Sequence, residues 1–351
     1  MTDTILSSRN GQIGHLQLNR PKALNALTTE MIEAIDSELI AWETDESVES
    51  VLLTSTSPKA FCAGGDIKAV RDGVLSGDTS VGRRFFELEY AMNARIANYP
   101  KPYASVLFGA TMGGGIGVSA HGSHRIVTDT LQSSMPETAI GFVPDVGASW
   151  ILPRLAGGGD HGLAVAIYLG TTGARLGAAD ALHLGLGTHF LHDGARAAFT
   201  ETCLDSGLDQ ALGEHCSDPS EAGTSVIAGH EEWIDRAFSR ASAQDIAVEL
   251  SSMAGESGPA AEWATTALDS FSSHSPTSVA ATIELMRAGA GVGTVEDALR
   301  NELQLGAVVC SKPDFAEGVR AVLIDKTRDA AWSPDSFDAV DLDAIRGALS
   351  A

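Results

Sequence analysis

The sequence predicts an α/β layered fold followed by a helical C-terminal region. Three observations carry this. Short apolar strands alternate with segments of helical period through the first part of the chain, as in layered α/β proteins. Two strands run into glycine clusters and then a helical pattern, "FCAGGDIKAV" (61–70) and "GATMGGGIGVSAHG" (109–122). The final stretches, "SPTSVAATIELMRAG" and "TVEDALRNELQLGAVVC", keep a helical period.

In chain order, "IGHLQLN" (13–19) alternates as a strand does. A helix follows, with Met31, Ile35, Leu39 and Trp42 on one face and Thr28 or Thr29 as its cap. "SVLLTS" (50–55), "YASVLFG" (103–109) and "HRIVTD" (124–129) read as further strands, and "VGASWILPRLAG" (146–157) as a helix. From about 200 to 275, "SDPSEAGTSVIAGHEEW" and "MAGESGPAAEW" are rich in small residues and read as linkers between helices. The division expected is a core over residues 1–200 and a helical region over 201–351.

The chain has 351 residues, 44% of them hydrophobic, with a mean hydropathy of +0.05. That supports a large core, and no apolar run approaches the roughly 20 residues a membrane span needs. Acids outnumber bases 46 to 23, for a net charge of −23. Such a surface repels nucleic acid and anionic membrane, so neither is expected as a partner. A phosphate-bearing ligand would need a locally basic or amide-lined site. Cys62, Cys203, Cys216 and Cys310 show neither disulfide nor metal spacing, and "MTDTILSSRNGQIGH" lacks the pattern of a secretory signal. The expected setting is reducing and cytoplasmic.

Glycine corners between strand and helix expose amides that have no partner within the helix, where the helix dipole also favours negative charge. Two corners facing each other could hold a carbonyl oxygen as it becomes an oxyanion, although glycines equally serve tight turns. "MGGGIG" has neither the dinucleotide spacing nor a following phosphate lysine. In "SSMPETAIGFVPDVGASW" (133–150), Glu137 and Asp145 each follow a proline in an otherwise apolar run. Pro136 and Pro144 fix φ and limit the motion of the acids beside them. His121 and His124 have no evident third ligand, so no metal is expected. Cys62 lacks a base partner, and Ser119 lacks the G-x-S-x-G setting of a serine hydrolase.

"RPKALNAL", "KAFCAGGDIKAV", "GATMGGGIGVSAHGSHRIV", "MPETAIGFVPDVGASWILPRLAG" and "DFAEGVRAVLIDKTRDAAWSP" occur in that order. Together they resemble the enoyl-CoA hydratase/isomerase (crotonase) superfamily, most closely its hydrolases of 3-hydroxyisobutyryl-CoA. The resemblance implies a spiral of ββα units with helical C-terminal parts, and assembly as a trimer or hexamer. The implied ligand is an acyl-CoA substrate, with coenzyme A part of that substrate and no separate cofactor.

Carried over by position, the resemblance makes the amides of Gly65 and Gly114 the oxyanion donors. Lys22, Ala23, Leu24 and Ala26 line coenzyme A on one side, and Ala63, Gly65, Asp66 and Ile67 on the other. Glu89 matches an acid near the acyl pocket. Hydratases of the superfamily use two glutamates: Glu137 matches one, and Gly117 stands where the other would be. Adding water across a double bond needs both an acid and a base, so this chain is expected to make a poor hydratase. The hydrolase pattern instead pairs Glu137 with Asp145. Glu137 then attacks the thioester carbonyl or activates a water that does so, while Asp145 bonds the 3-hydroxyl of the acyl group. A hydratase or isomerase, and an acyl-CoA binder without catalysis, stand as alternatives.

Overall fold

The computed structural model describes residues 3–350. The chain forms two compact units that alternate along the sequence. The first takes the chain up to Asp66, then Leu88–Ser134 and Arg175–Ala228. The second takes Ile67–Glu87, Met135–Ala174 and the chain from Gly229 onward. This differs from a single division at residue 200, because parallel strands need long crossovers and the chain leaves the sheet between them.

In the first unit, β1 (Ile5–Asn10) and β2 (Ile13–Leu18) form an antiparallel hairpin. Then come β3 (Ser50–Ser55), β4 (Ala60–Cys62), β5 (Tyr103–Leu107), β6 (Ala110–Met112), β7 (His124–Thr128), β8 (Gln132–Ser134) and β9 (His189–Leu191). One sheet has the order β1-β2-β3-β5-β7-β9, parallel beyond the hairpin, and a smaller parallel sheet has the order β4-β6-β8. Each turn of the spiral thus lays one strand in each sheet before a helical segment. β3 and β5 are buried almost throughout, as parallel strands covered on both faces must be. Leu52, Val106, Ile126 and Leu191 from the large sheet pack with Phe199 and Leu208 from the helices Arg196–Ser206 and Leu208–His215. The helix Thr29–Glu43 buries the expected stripe and is capped by Thr28, whose hydroxyl accepts from the Met31 amide at 3.3 Å.

The second unit is helical. At its centre, Pro276–Gly291 is buried along nearly its whole length, and Val295–Cys310 packs beside it. The single helix expected over 146–157 is broken. A helix spans Ala148–Ile151, followed by a 3-10 segment Leu152–Gly157 in which Leu155 and Ala156 leave helical angles. Pro153 is the physical reason, since it lacks the N–H that a continuing helix would use.

Candidate active site

In the first unit, "RPKALNAL" is laced to "CAGGD" by backbone hydrogen bonds: Ala63 N–H to Leu24 O at 3.0 Å, Leu27 N–H to Gly64 O at 2.8 Å, and Asp66 N–H to Leu27 O at 2.8 Å. Arg20 and Asp66 close the edge with an ion pair at 2.9 Å. Leu24 and Asn25 both have positive φ, 50° and 57°, which side chains rarely adopt. Asn25 holds this turn. Its Oδ1 accepts from the Arg20 amide at 2.8 Å, and its Nδ2 donates to Ser55 Oγ at 2.7 Å and Phe61 O at 2.9 Å. Lys22 and Leu24 are left exposed, Ala23 and Ala26 half-buried. Across the lacing, Ala63, Gly65 and Asp66 are half-buried. Ile67 starts the helix Ile67–Ser76 in the second unit.

The two glycine corners meet. A Cβ on Gly115 would lie 2.3 Å from the Cys62 carbonyl oxygen, and one on Gly114 would lie 3.3 Å from the Gly64 carbonyl carbon. Gly64 turns the chain at φ +114° and Gly113 at φ +47°, angles that glycine alone adopts freely. Among the described residues, neither the Gly65 nor the Gly114 N–H donates to a carbonyl of the surrounding turns. The Gly114 Cβ position is also 2.6 Å from Glu89 Oε1, so Glu89, only 2% exposed, abuts the second corner. One turn further along the same helix, Ser80–Ala97, Asn93 is fully buried with neither amide atom hydrogen-bonded among the described residues. Cys62 Sγ donates to Asn25 O at 3.1 Å, and burial pushes its thiol up to about 12. It packs there as an unreactive group.

The acids lie in the second unit. Glu137 opens the 3-10 turn Glu137–Ile140 behind Pro136. It is buried, and its Oε2 has no hydrogen-bond partner among the described residues. Burial, and next the charge of Asp145, hold its carboxyl well above the ordinary glutamate range. Asp145, also buried, is therefore near enough to act on it. Asp145 starts a strained turn: Val146 has φ 55° and Gly147 φ 84°, and Ala148 N–H donates back to Asp145 O at 2.8 Å. Gly117, standing where a hydratase acid would be expected, is buried in the short helix Gly114–Gly117.

Sequence reasoning missed Arg20, Asn25, Asn93 and Glu302. Glu302 is fully buried and accepts from Gly147 N–H at 2.7 Å, Ser149 N–H at 2.9 Å and Ser149 O–H at 2.6 Å. Burial raises its carboxyl to about 8, with Asp145 adding to the rise, although the Ser149 hydroxyl and the two amides pull it down. A signal for it did exist: Glu302 interrupts the buried stripe Val295, Ala298, Leu299, Leu305 and Val309, where an acid has no solvent to face.

A family model described as enoyl-CoA hydratase/isomerase matches residues 13–349. The chain belongs to that family. Among enoyl-CoA hydratase/isomerase relatives, the mitochondrial 3-hydroxyisobutyryl-CoA hydrolase of Gallus gallus is 36% identical over 346 residues, 96% of this chain and 86% of that protein. Small ribosomal subunit protein mS47 of Neurospora crassa is 35% identical over 345 residues, 93% of this chain and 66% of that protein. A crystal structure described as a carnitinyl-CoA dehydratase from Mycobacterium thermoresistibile is 36% identical, with a TM-score of 0.90, covering 99% of this chain and 96% of that one. The fold of the enoyl-CoA hydratase/isomerase family is thus the fold here, as the resemblance implied. The cytoplasmic setting is corrected: the Gallus relative is named mitochondrial. Cysteine usage separates oxidising from reducing compartments and does not tell one reducing compartment from another.

Proposed function

We propose that this chain hydrolyses 3-hydroxyisobutyryl-CoA to the free acid and coenzyme A, a step of valine breakdown, and that 3-hydroxypropionyl-CoA, one methyl smaller, is a secondary substrate. The observation that carries the reading is the Glu137 carboxyl, buried, with one oxygen lacking a hydrogen-bond partner among the described residues and its pKa raised by burial and Asp145. A carboxylate in that state is a stronger base and nucleophile than one in water. The 36% identity with the Gallus hydrolase over 96% of this chain supports the substrate.

In this reading the thioester oxygen accepts from the Gly65 and Gly114 amides, which stabilise the negative charge that develops there. Glu137 either adds to the carbonyl carbon, expelling the coenzyme A thiolate and leaving an anhydride that water opens, or takes a proton from the water that attacks. Both routes consume one water and yield one acid and one thiol. Asp145 bonds the 3-hydroxyl and selects hydroxylated acyl groups. Lys22, Ala23, Leu24 and Ala26 run along coenzyme A opposite Ala63, Asp66 and Ile67, with Glu89 at the acyl end. The reaction draws on no cofactor, and homo-oligomeric assembly as a trimer or hexamer is part of the reading, to be read by light scattering.

A hydratase reading draws on the dehydratase relative, and Gly117 in place of a second acid weighs against it. The ribosomal relative supports a reading without catalysis. Free-thiol release separates the three. Thiol release from 3-hydroxyisobutyryl-CoA supports hydrolysis; a change in enoyl absorbance without thiol would favour a hydratase, and binding without turnover a binder.

A further inference from the structure

We infer that Glu302 is a positioning residue for Asp145: its buried carboxyl clamps the backbone turn that carries Asp145 and so fixes the aim of that acid at the substrate hydroxyl. The inference rests on the role given to Asp145 above. Glu302 comes from the helix Val295–Cys310, more than 150 residues along the chain from the turn it holds, yet its three hydrogen bonds among the described residues converge there. It accepts from Gly147 N–H at 2.7 Å and from the Ser149 N–H and O–H at 2.9 and 2.6 Å.

The turn needs such a clamp. Val146 and Gly147 both have positive φ, 55° and 84°. A β-branched side chain is rarely found there, and strained backbone persists only where surrounding contacts over-determine it. Glu302 bonds the residue next to Val146, and the turn closes through Ala148 N–H to Asp145 O at 2.8 Å. For folding alone, an apolar residue in this buried stripe would serve at lower cost, since burying a carboxyl is unfavourable even when it is hydrogen-bonded. A fully buried acid whose hydrogen bonds among the described residues all go to the turn after Asp145 is explained by what that turn carries.

The test compares 3-hydroxyisobutyryl-CoA with isobutyryl-CoA, which lacks the hydroxyl, in wild type, Glu302→Gln, Ser149→Ala, Asp145→Asn and the Asp145→Asn/Glu302→Gln double variant. Glu302→Gln should lower kcat/KM for the hydroxylated thioester about tenfold, the scale of one lost buried hydrogen bond. The plain thioester should lose about threefold or less. Ser149→Ala, which removes one of the three bonds, should move selectivity in the same direction and less far. In the Asp145→Asn background, Glu302→Gln should change selectivity no further, because coupled residues are not additive. Equal losses on both substrates, or an additive double variant, would overturn the inference.

Absence of thiol release from wild type would count against the proposed function itself. The clamp is then read by hydrogen exchange. Faster exchange in Glu302→Gln confined to residues 143–151, with Tm held, supports it, and unchanged exchange there overturns it.

Discussion

Gly115 stands so close to Cys62 that a Cβ added to it would lie 2.3 Å from the Cys62 carbonyl oxygen. The neighbour is backbone and cannot swing away, so the third glycine of "MGGGIG" is what lets the two corners touch. Gly115→Ala should therefore push the corners apart. Overpacking of this kind costs about 1–3 kcal/mol, read as a lower Tm. Displacing one oxyanion donor should also slow thiol release by about 10²–10³. A variant with full activity would mean that the meeting of the corners is incidental.

Glu137→Gln should nearly abolish thiol release and at the same time stabilise the fold. The sign follows from linkage. The folded-state pKa of Glu137 is raised above its unfolded value, so the folded state holds its proton longer than the unfolded state. Stability is then full below the unfolded pKa and is lost as pH rises toward the folded one. Removing the group relieves that loss, so the gain should be near zero at pH 4 and grow as pH rises to 8. Thermal melts at both pH values check it, and an equal gain at both would show that burial of the charge is not the cause.

Asp145→Asn should shift the acid limb of the pH–rate profile downward. The Asp145 charge adds to the elevation of Glu137, and Glu137 must be ionised to act in either route. Without that charge Glu137 ionises at lower pH, so the rate on a plain acyl thioester should begin to rise earlier. An unmoved limb would mean the two acids do not share a field.

Lys22 is exposed in a chain of net charge −23. Lys22→Ala should raise KM for coenzyme A thioesters about two- to fivefold, the range of a single exposed charge contact, and leave kcat alone. Thioesters of pantetheine, which lacks the nucleotide phosphates, should show no change. An equal effect on both would remove Lys22 from the phosphate site.

The parts of this site that sequence made legible are those with local causes. The glycine corners stand directly after strands, and Pro136 and Pro144 mark the acids in an apolar run. The parts that stayed hidden depend on distant partners. Asn25 reads as an ordinary turn residue until Ser55 and Phe61 are seen beneath its amide. Glu302 sits among Asn301 and Gln304, which masks the buried stripe it interrupts. The interleaved units were hidden for the same reason, since parallel pairing such as β5 with β7 joins segments that sequence leaves apart.

The most direct test follows free thiol released from 3-hydroxyisobutyryl-CoA by wild type and by Glu137→Gln. Wild type should release one thiol for each acid formed, and the variant should be slower by about 10³ or more, the scale at which loss of a catalytic group registers. Wild type that hydrates an enoyl-CoA without releasing thiol, or a variant that keeps its rate within about tenfold, would contradict it.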